Sequence, residues 1–181
     1  MSRILPLEPK DAPDAAKPLL EAVQQQLGLV PNFIKVLAKA PVALEGFLGL
    51  YVVAGRGTLD IETRERIALA VAEHNSCQYC VSAHTAIAQS IGMSGDEIDA
   101  ARLGTSQDRK AAAAVAYAKA LVSSMGAVSS AEFEAASAEL SEEEILEVLA
   151  HVALNVFTNM LGKSTRVKID FPEVSLLSQV A

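Results

Sequence analysis

The chain has no tryptophan and few other aromatics, three tyrosines and five phenylalanines. It has two cysteines, too few for the disulfide framework of a small secreted domain. Basic residues are outnumbered, 15 against 22 acidic, for a formal charge of −7. That balance argues against non-specific nucleic-acid binding and against anionic membrane surfaces. No run of 18 uncharged apolar residues suggests a membrane span. Period-2 alternation is missing outside short pieces such as Arg166 to Ile169, so strands are not expected. The N-terminal stretch MSRILPLEPKDAPDAAK has too short an apolar segment for a signal peptide, which leads to the expectation of a cytoplasmic protein.

What remains is alanine-rich and half apolar, a composition that suits packed helices with close backbone approach. At 181 residues the chain can bury a single core. Pro6, Pro9 and Pro13 make residues 1–13 an expected extended arm, lying free or on a neighbouring subunit. Residues 14–165 read as one all-α helical bundle and residues 166–181 as an extended tail. Within the bundle, helices are expected from Asp14 to Leu27, from Pro31-Asn32 to about Ala40, and from Pro41 to about Ala54. Gly55-Arg56-Gly57-Thr58 is a turn without the G-x-x-x-x-G-K-[ST] pattern of a phosphate loop. Asp60 is the expected N-cap of the next helix, on whose solvent face Glu62 and Arg66 are spaced to pair. Capping boxes are expected at Ser94/Glu97, Ser129/Glu132 and Ser141/Glu144, and the last helix is expected to end near Gly162.

Both cysteines fall in ERIALAVAEHNSCQYCVSAH, residues 65–84. In a helix starting near Cys77, Cys80 lies about 60° and His84 about 20° around the axis from it, so the three side chains share a face. Asn75-Ser76 is the expected helix break, which puts the pair in the first turn, where free N–H groups and the helix dipole favour a thiolate. Glu65 sits on the preceding helix with Leu69 and Ala72 along its face, and a carboxylate there needs a partner or a rim position. Zinc is a competing reading, with Cys77, Cys80, His84 and Glu65 as ligands. Three ligands on one helix face within a few residues make tetrahedral closure awkward.

The pattern E-x11-C-x2-C-x3-H, here Glu65, Cys77, Cys80 and His84, resembles the motif of the AhpD-like alkylhydroperoxidases in the carboxymuconolactone decarboxylase superfamily. The run Gly55-Arg56 to Ile91-Gly92 and the stretch NVFTNMLGKSTRVKIDFPEV resemble the peroxidase-related subgroup. The resemblance implies an AhpD-like bundle and a thiol peroxidase in which Cys80 attacks a hydroperoxide, Cys77 resolves it to a disulfide, His84 is the base and Glu65 relays protons. It also implies an external dithiol reductant, a dihydrolipoyl or thioredoxin-like protein, and a homo-oligomer, trimer or hexamer. Nothing suggests a haem, flavin or nicotinamide cofactor. Tyr79 departs from the pattern, since some AhpD proteins carry a histidine there. Two other classes stay open: a decarboxylase acting on a lactone acid, and a non-enzymatic redox-responsive binding module.

Outside the motif, His74 falls on the helix face opposite Glu65 and reads as a surface or capping residue. His151, Asn155 and Asn159 form a polar stripe at i, i+4 and i+8 on the last helix, either a satisfied buried network with His151 paired to Glu147, or the lining of a pocket or interface. Met93 and Met160 read as packing residues.

Overall fold

The computed structural model describes residues 1–179; Val180 and Ala181, the end of the expected tail, lie outside the described residues. The chain folds as an all-α, single-domain bundle. The N-terminal residues rest on their own chain, with Arg3 N–H donating to the Thr165 carbonyl (2.8 Å) and Ala12 buried. A 3-10 turn, Asp14–Ala16, leads into α1 (Lys17–Leu27), which stops at left-handed Gly28. After it come α2 (Asn32–Leu37) and α3 (Pro41–Ala54), the latter opened by proline in its first turn as its sequence dictates. The second helix is shorter than its sequence suggests, because 36–40 tighten into a turn with Lys39 and Ala40 bonded to the Val36 and Leu37 carbonyls.

The central helix is α4 (Ile61–His74). Asp60 caps it as expected, accepting from Thr63 N–H at 2.6 Å. Its segment Ile67–Ala72 is buried all round, facing one apolar cluster formed with Tyr117, Leu121 and Val148 and another that holds the two cysteines. Small side chains there let four helices approach it: α5 (Gln78–Ser90), α6 (Gly95–Leu103), α7 (Arg109–Ser124) and α9 (Glu142–Thr165). The short α8 (Ser130–Ser137) connects the last two.

Capping boxes close at Ser129/Glu132 and Ser141/Glu144. At Ser94 only half the box forms, since the Glu97 carboxylate accepts from Arg66 Nε (2.6 Å), Ser106 and Gln107 N–H instead of turning back. This also corrects the expected Glu62–Arg66 pair: Arg66 is mostly buried and spent on Glu97. The last helix runs past Gly162 to Thr165 and is stopped by left-handed Arg166, whose N–H bonds the Gly162 carbonyl. Among the described residues α9 is the helix long and apolar enough to cross a membrane. It carries His151, Asn155 and Asn159 buried within the fold.

The glycine turn before α4 is clamped by Glu147 of α9. Thr58 N–H donates to both carboxylate oxygens (2.7 and 2.8 Å) and Leu59 N–H to one (2.9 Å). A Cβ on Gly57 would stand 2.5 Å from the Glu147 carboxylate, which explains the glycine. Burial pushes the Glu147 pKa up, but the donated N–H bonds outweigh it and hold it below the ordinary value. Glu147→Gln should lower stability by about 1–3 kcal/mol at neutral pH, read as a lower urea midpoint at unchanged slope. A depressed carboxyl stabilises above its unfolded pKa and loses that contribution as pH falls through the folded one. The gap between variant and parent should therefore narrow below about pH 4.

Candidate active site

The turn between α4 and α5 is what sets the cysteines. Asn75 closes α4, Ser76 takes a left-handed conformation (φ 52°), and Cys77 itself is the N-cap of α5. The break thus falls at Asn75-Ser76 as expected, but the capping residue is Cys77, one past Ser76, and its N–H still reaches back to the Ala72 carbonyl at 2.9 Å. Cys80 falls in the first turn of α5. The two sulfurs are joined as a disulfide, with Cα atoms 5.3 Å apart. Both residues are buried, Cys77 at 1% and Cys80 at 3% exposure.

One turn past Cys80, His84 Nδ1 meets Glu65 Oε2 at 2.7 Å across the α4–α5 interface. An ionised carboxylate only accepts, so the ring donates from Nδ1 and its Nε2 is left as the proton-accepting nitrogen. Both side chains are only partly buried, Glu65 at 14% and His84 at 21% exposure. Among the described residues no three His, Cys, Asp or Glu side chains gather at metal-ligand spacing.

A model of the carboxymuconolactone decarboxylase family matches residues 41–123, a stretch holding all four motif residues. The debrominase Bmp8, as a cysteine-to-alanine variant in complex with 2,3,4-tribromopyrrole, is similar over 94% of this chain and 92% of its own, at 26% identity and a TM-score of 0.80. A peroxidase-related protein with an AhpD core from Ralstonia eutropha JMP134 superposes with a TM-score of 0.81 at 23% identity, covering 93% and 92% of the two chains. Another peroxidase-related protein, from Silicibacter sp. TM1040, gives 0.77 at 22% identity over 87% and 86%. The chain is thus similar to the carboxymuconolactone decarboxylase family over residues 41–123, and its fold is AhpD-like. No curated protein sequence matches it.

In this AhpD-like fold the residue just before the second cysteine is structural. Tyr79 is buried among Phe33 and Phe171, donates its hydroxyl to Asp170 (2.9 Å) and accepts from Phe33 N–H (3.3 Å). Burial first, then the Asp170 carboxylate, pushes its pKa up. It ties the C-terminal tail to the cysteine helix, helped by Ser82 Oγ accepting from Val174 N–H (3.0 Å). A buried Glu73–Arg102 pair pins the same tail, Glu73 accepting from Leu177 N–H (2.7 Å).

The polar stripe on α9 does not form one network. Asn155 donates to the His151 carbonyl of its own helix (2.8 Å). Asn159 accepts from Asn75 Nδ2 (2.9 Å), bracing the turn before Cys77. His151 is buried with Nε2 unpartnered, and Glu147 is engaged by the Thr58 turn instead of bonding it. His74 is exposed, as its face implies. Met93 packs against Leu69 and Ile98, but Met160 is 62% exposed, correcting its reading as a core residue.

Three contributors carry no sequence signal of their own. Lys163 Nζ donates to the Asn75 carbonyl. Gly162 lies against the sulfurs. Tyr51 of α3 feels the Glu65 charge, which adds to burial in raising its pKa.

Tyr79→Phe should cost about 1–3 kcal/mol in thermal unfolding, since it strips Asp170 and Phe33 N–H of a buried partner. The reactivity of the Cys77–Cys80 pair toward a thiol reagent should be unchanged. Burial, then repulsion from Arg64, lowers the His151 pKa against weaker support from Ala54, Glu147 and Glu65. The unfolded chain therefore takes up this proton first as pH falls below about 6.5, and stability drops through that window. His151→Gln should flatten that part of the stability–pH curve.

Proposed function

We propose that the chain is a thiol-dependent peroxidase that cycles through the Cys77–Cys80 disulfide. The observation carrying the reading is the joined pair at the start of α5 with the Glu65–His84 hydrogen bond one turn along. In the reduced protein, His84 Nε2 takes the Cys80 proton, and the first-turn position favours the resulting anion. The Cys80 thiolate attacks the O–O bond of a hydroperoxide. A sulfenic acid forms on Cys80, and the departing alkoxide takes the proton from His84 and leaves as alcohol. The Cys77 thiol then attacks the sulfenic sulfur, releasing water and closing the disulfide. The peroxide has gained two electrons and the two thiols have lost them. An external dithiol, of the dihydrolipoyl or thioredoxin type, returns them by exchange, which suits a reducing compartment such as the cytoplasm. Cys80 is the slightly less buried residue, and the Cys77 sulfur lies closer to Gly162, which supports Cys80 as the attacking residue.

The likeness to the debrominase Bmp8 supports a second oxidant for the same chemistry. A brominated aromatic would give its bromine to the Cys80 sulfur and take up in its place the proton held by His84, and the Cys77 thiol would expel bromide as the disulfide closes. Lactone decarboxylation, by contrast, uses no thiol pair. The apolar outer faces of α3, with Val42, Leu50 and Val53, and of α9, with Leu149, Phe157 and Met160, support a homo-oligomer.

The deciding experiment counts thiols on reduced protein before and after one equivalent of cumene hydroperoxide, in the parent, Cys77→Ser and Cys80→Ser. The parent should lose two thiols, and a sulfenic acid should be trapped only where Cys80 remains. His84→Ala should slow the loss at least tenfold. Thiols that survive the peroxide, but are consumed by tribromopyrrole with bromide release, would move the assignment to dehalogenation. Survival of both would end the redox-enzyme reading.

A further inference from the structure

Gly162 lies inside α9 with ordinary helical backbone; it is not among the glycines with positive φ. Backbone conformation therefore does not call for glycine, and in a helix interior glycine is less favourable than alanine. The space beside it does call for glycine. A Cβ on Gly162 would stand 3.1 Å from Cys77 Sγ, 3.7 Å from Cys80 Sγ and 3.8 Å from Tyr79 Cβ. Among the described residues no other glycine has a sulfur beside its Cβ position.

The same stretch of α9 also fixes the approach to Cys77. Asn159, nearly one turn earlier, accepts from the Asn75 side chain, and Lys163 donates to the Asn75 carbonyl. Cys77 is thus held from the chain side through Asn75 and met from the helix side by the bare backbone of Gly162. Cys77 is the slightly more buried residue of the two.

We propose that Gly162 is a positioning residue for the Cys77–Cys80 couple: the side chain at 162 sets how readily the pair oxidises. Two thiols can turn their sulfurs apart about χ1, whereas a disulfide holds both sulfurs to one covalent geometry. A methyl group at 162 therefore loads the disulfide form more than the dithiol. The inference rests on the redox cycling of the pair, and not on which oxidant drives it.

The test equilibrates parent, Gly162→Ala and Gly95→Ala with mixtures of reduced and oxidised dithiothreitol, and counts alkylated thiols by mass. Protein dithiol and oxidised dithiothreitol exchange for protein disulfide and reduced dithiothreitol, with two electrons passed. Gly162→Ala should lower the equilibrium constant for oxidation about tenfold, equal to about 30 mV toward the more oxidising side. Gly95, with open space around its Cβ position, should give no shift on substitution. Melting temperatures supply the second readout. Gly162→Ala should lower that of the oxidised protein, yet raise it in the Cys77→Ala background, where only the helix preference for alanine remains. An unchanged equilibrium constant would overturn the proposal. So would destabilisation of equal size with and without Cys77, or failure of the Cys77→Ala/Gly162→Ala protein to fold, since either would assign Gly162 to packing against Tyr79. A parent that ignores hydroperoxide leaves these readings intact and removes only the peroxidase assignment.

Discussion

The bundle depends on the burial of one short, small-residue helix segment. Ile67–Ala72 of α4 has neighbours on every side, and alanines at three of its six positions let α5, α7 and α9 come close without leaving voids. Because α4 is fixed in this way, Glu65 at its outer turn is a fixed carboxylate. His84 on α5 meets it at hydrogen-bond distance, and Cys77 begins α5 only a few residues after α4 ends. The chemistry of the site is thus a property of how two consecutive helices are wedged together, more than of any loop.

Around that wedge most buried polar groups find specific partners. Asn159 answers Asn75, Tyr79 answers Asp170 and Phe33, and Glu147 answers the amides of the Thr58 turn. Each bond is modest in net terms, but each would leave a costly orphan if one partner were removed. Among the described residues the exceptions are Arg64 Nε on α4, Thr85 Oγ1 on α5, and His151 Nε2 and Asn159 Nδ2 on α9.

How much of this was legible in the sequence follows from the range of the signals. Proline at Pro41, Asp60 before its helix, and the serine–glutamate boxes at Ser129 and Ser141 act within one turn, and all appear where their chemistry places them. The i,i+4 spacing of Cys80 and His84 is equally local. Pairings between helices are different. Arg66 had a partner at the right spacing in Glu62, but tertiary packing offered it the buried Glu97, and the third capping box was lost to the same event. Met160 is apolar by type yet lies on the outer face of α9. Gly162 read as a stop signal because glycine usually follows a helix end. Its real constraint, a sulfur from a residue 85 positions earlier, has no local trace. The Glu65–His84 meeting was legible through family resemblance, since the two lie on different helices.

The tail that Tyr79 anchors has a consequence for the life of the chain before it is complete. The hydroxyl of Tyr79 waits for Asp170, 91 positions on, and Ser82 for Val174, 92 positions on. At ribosomal speeds of ~5–20 residues per second, the interval is roughly 5–20 s. During it the cysteine helix has emerged, but the segment that closes over it does not yet exist. A nascent chain with more cysteines would have wrong partners to choose from in that time. This one has two, three residues apart, so the only disulfide it can make within itself is the one the finished protein holds.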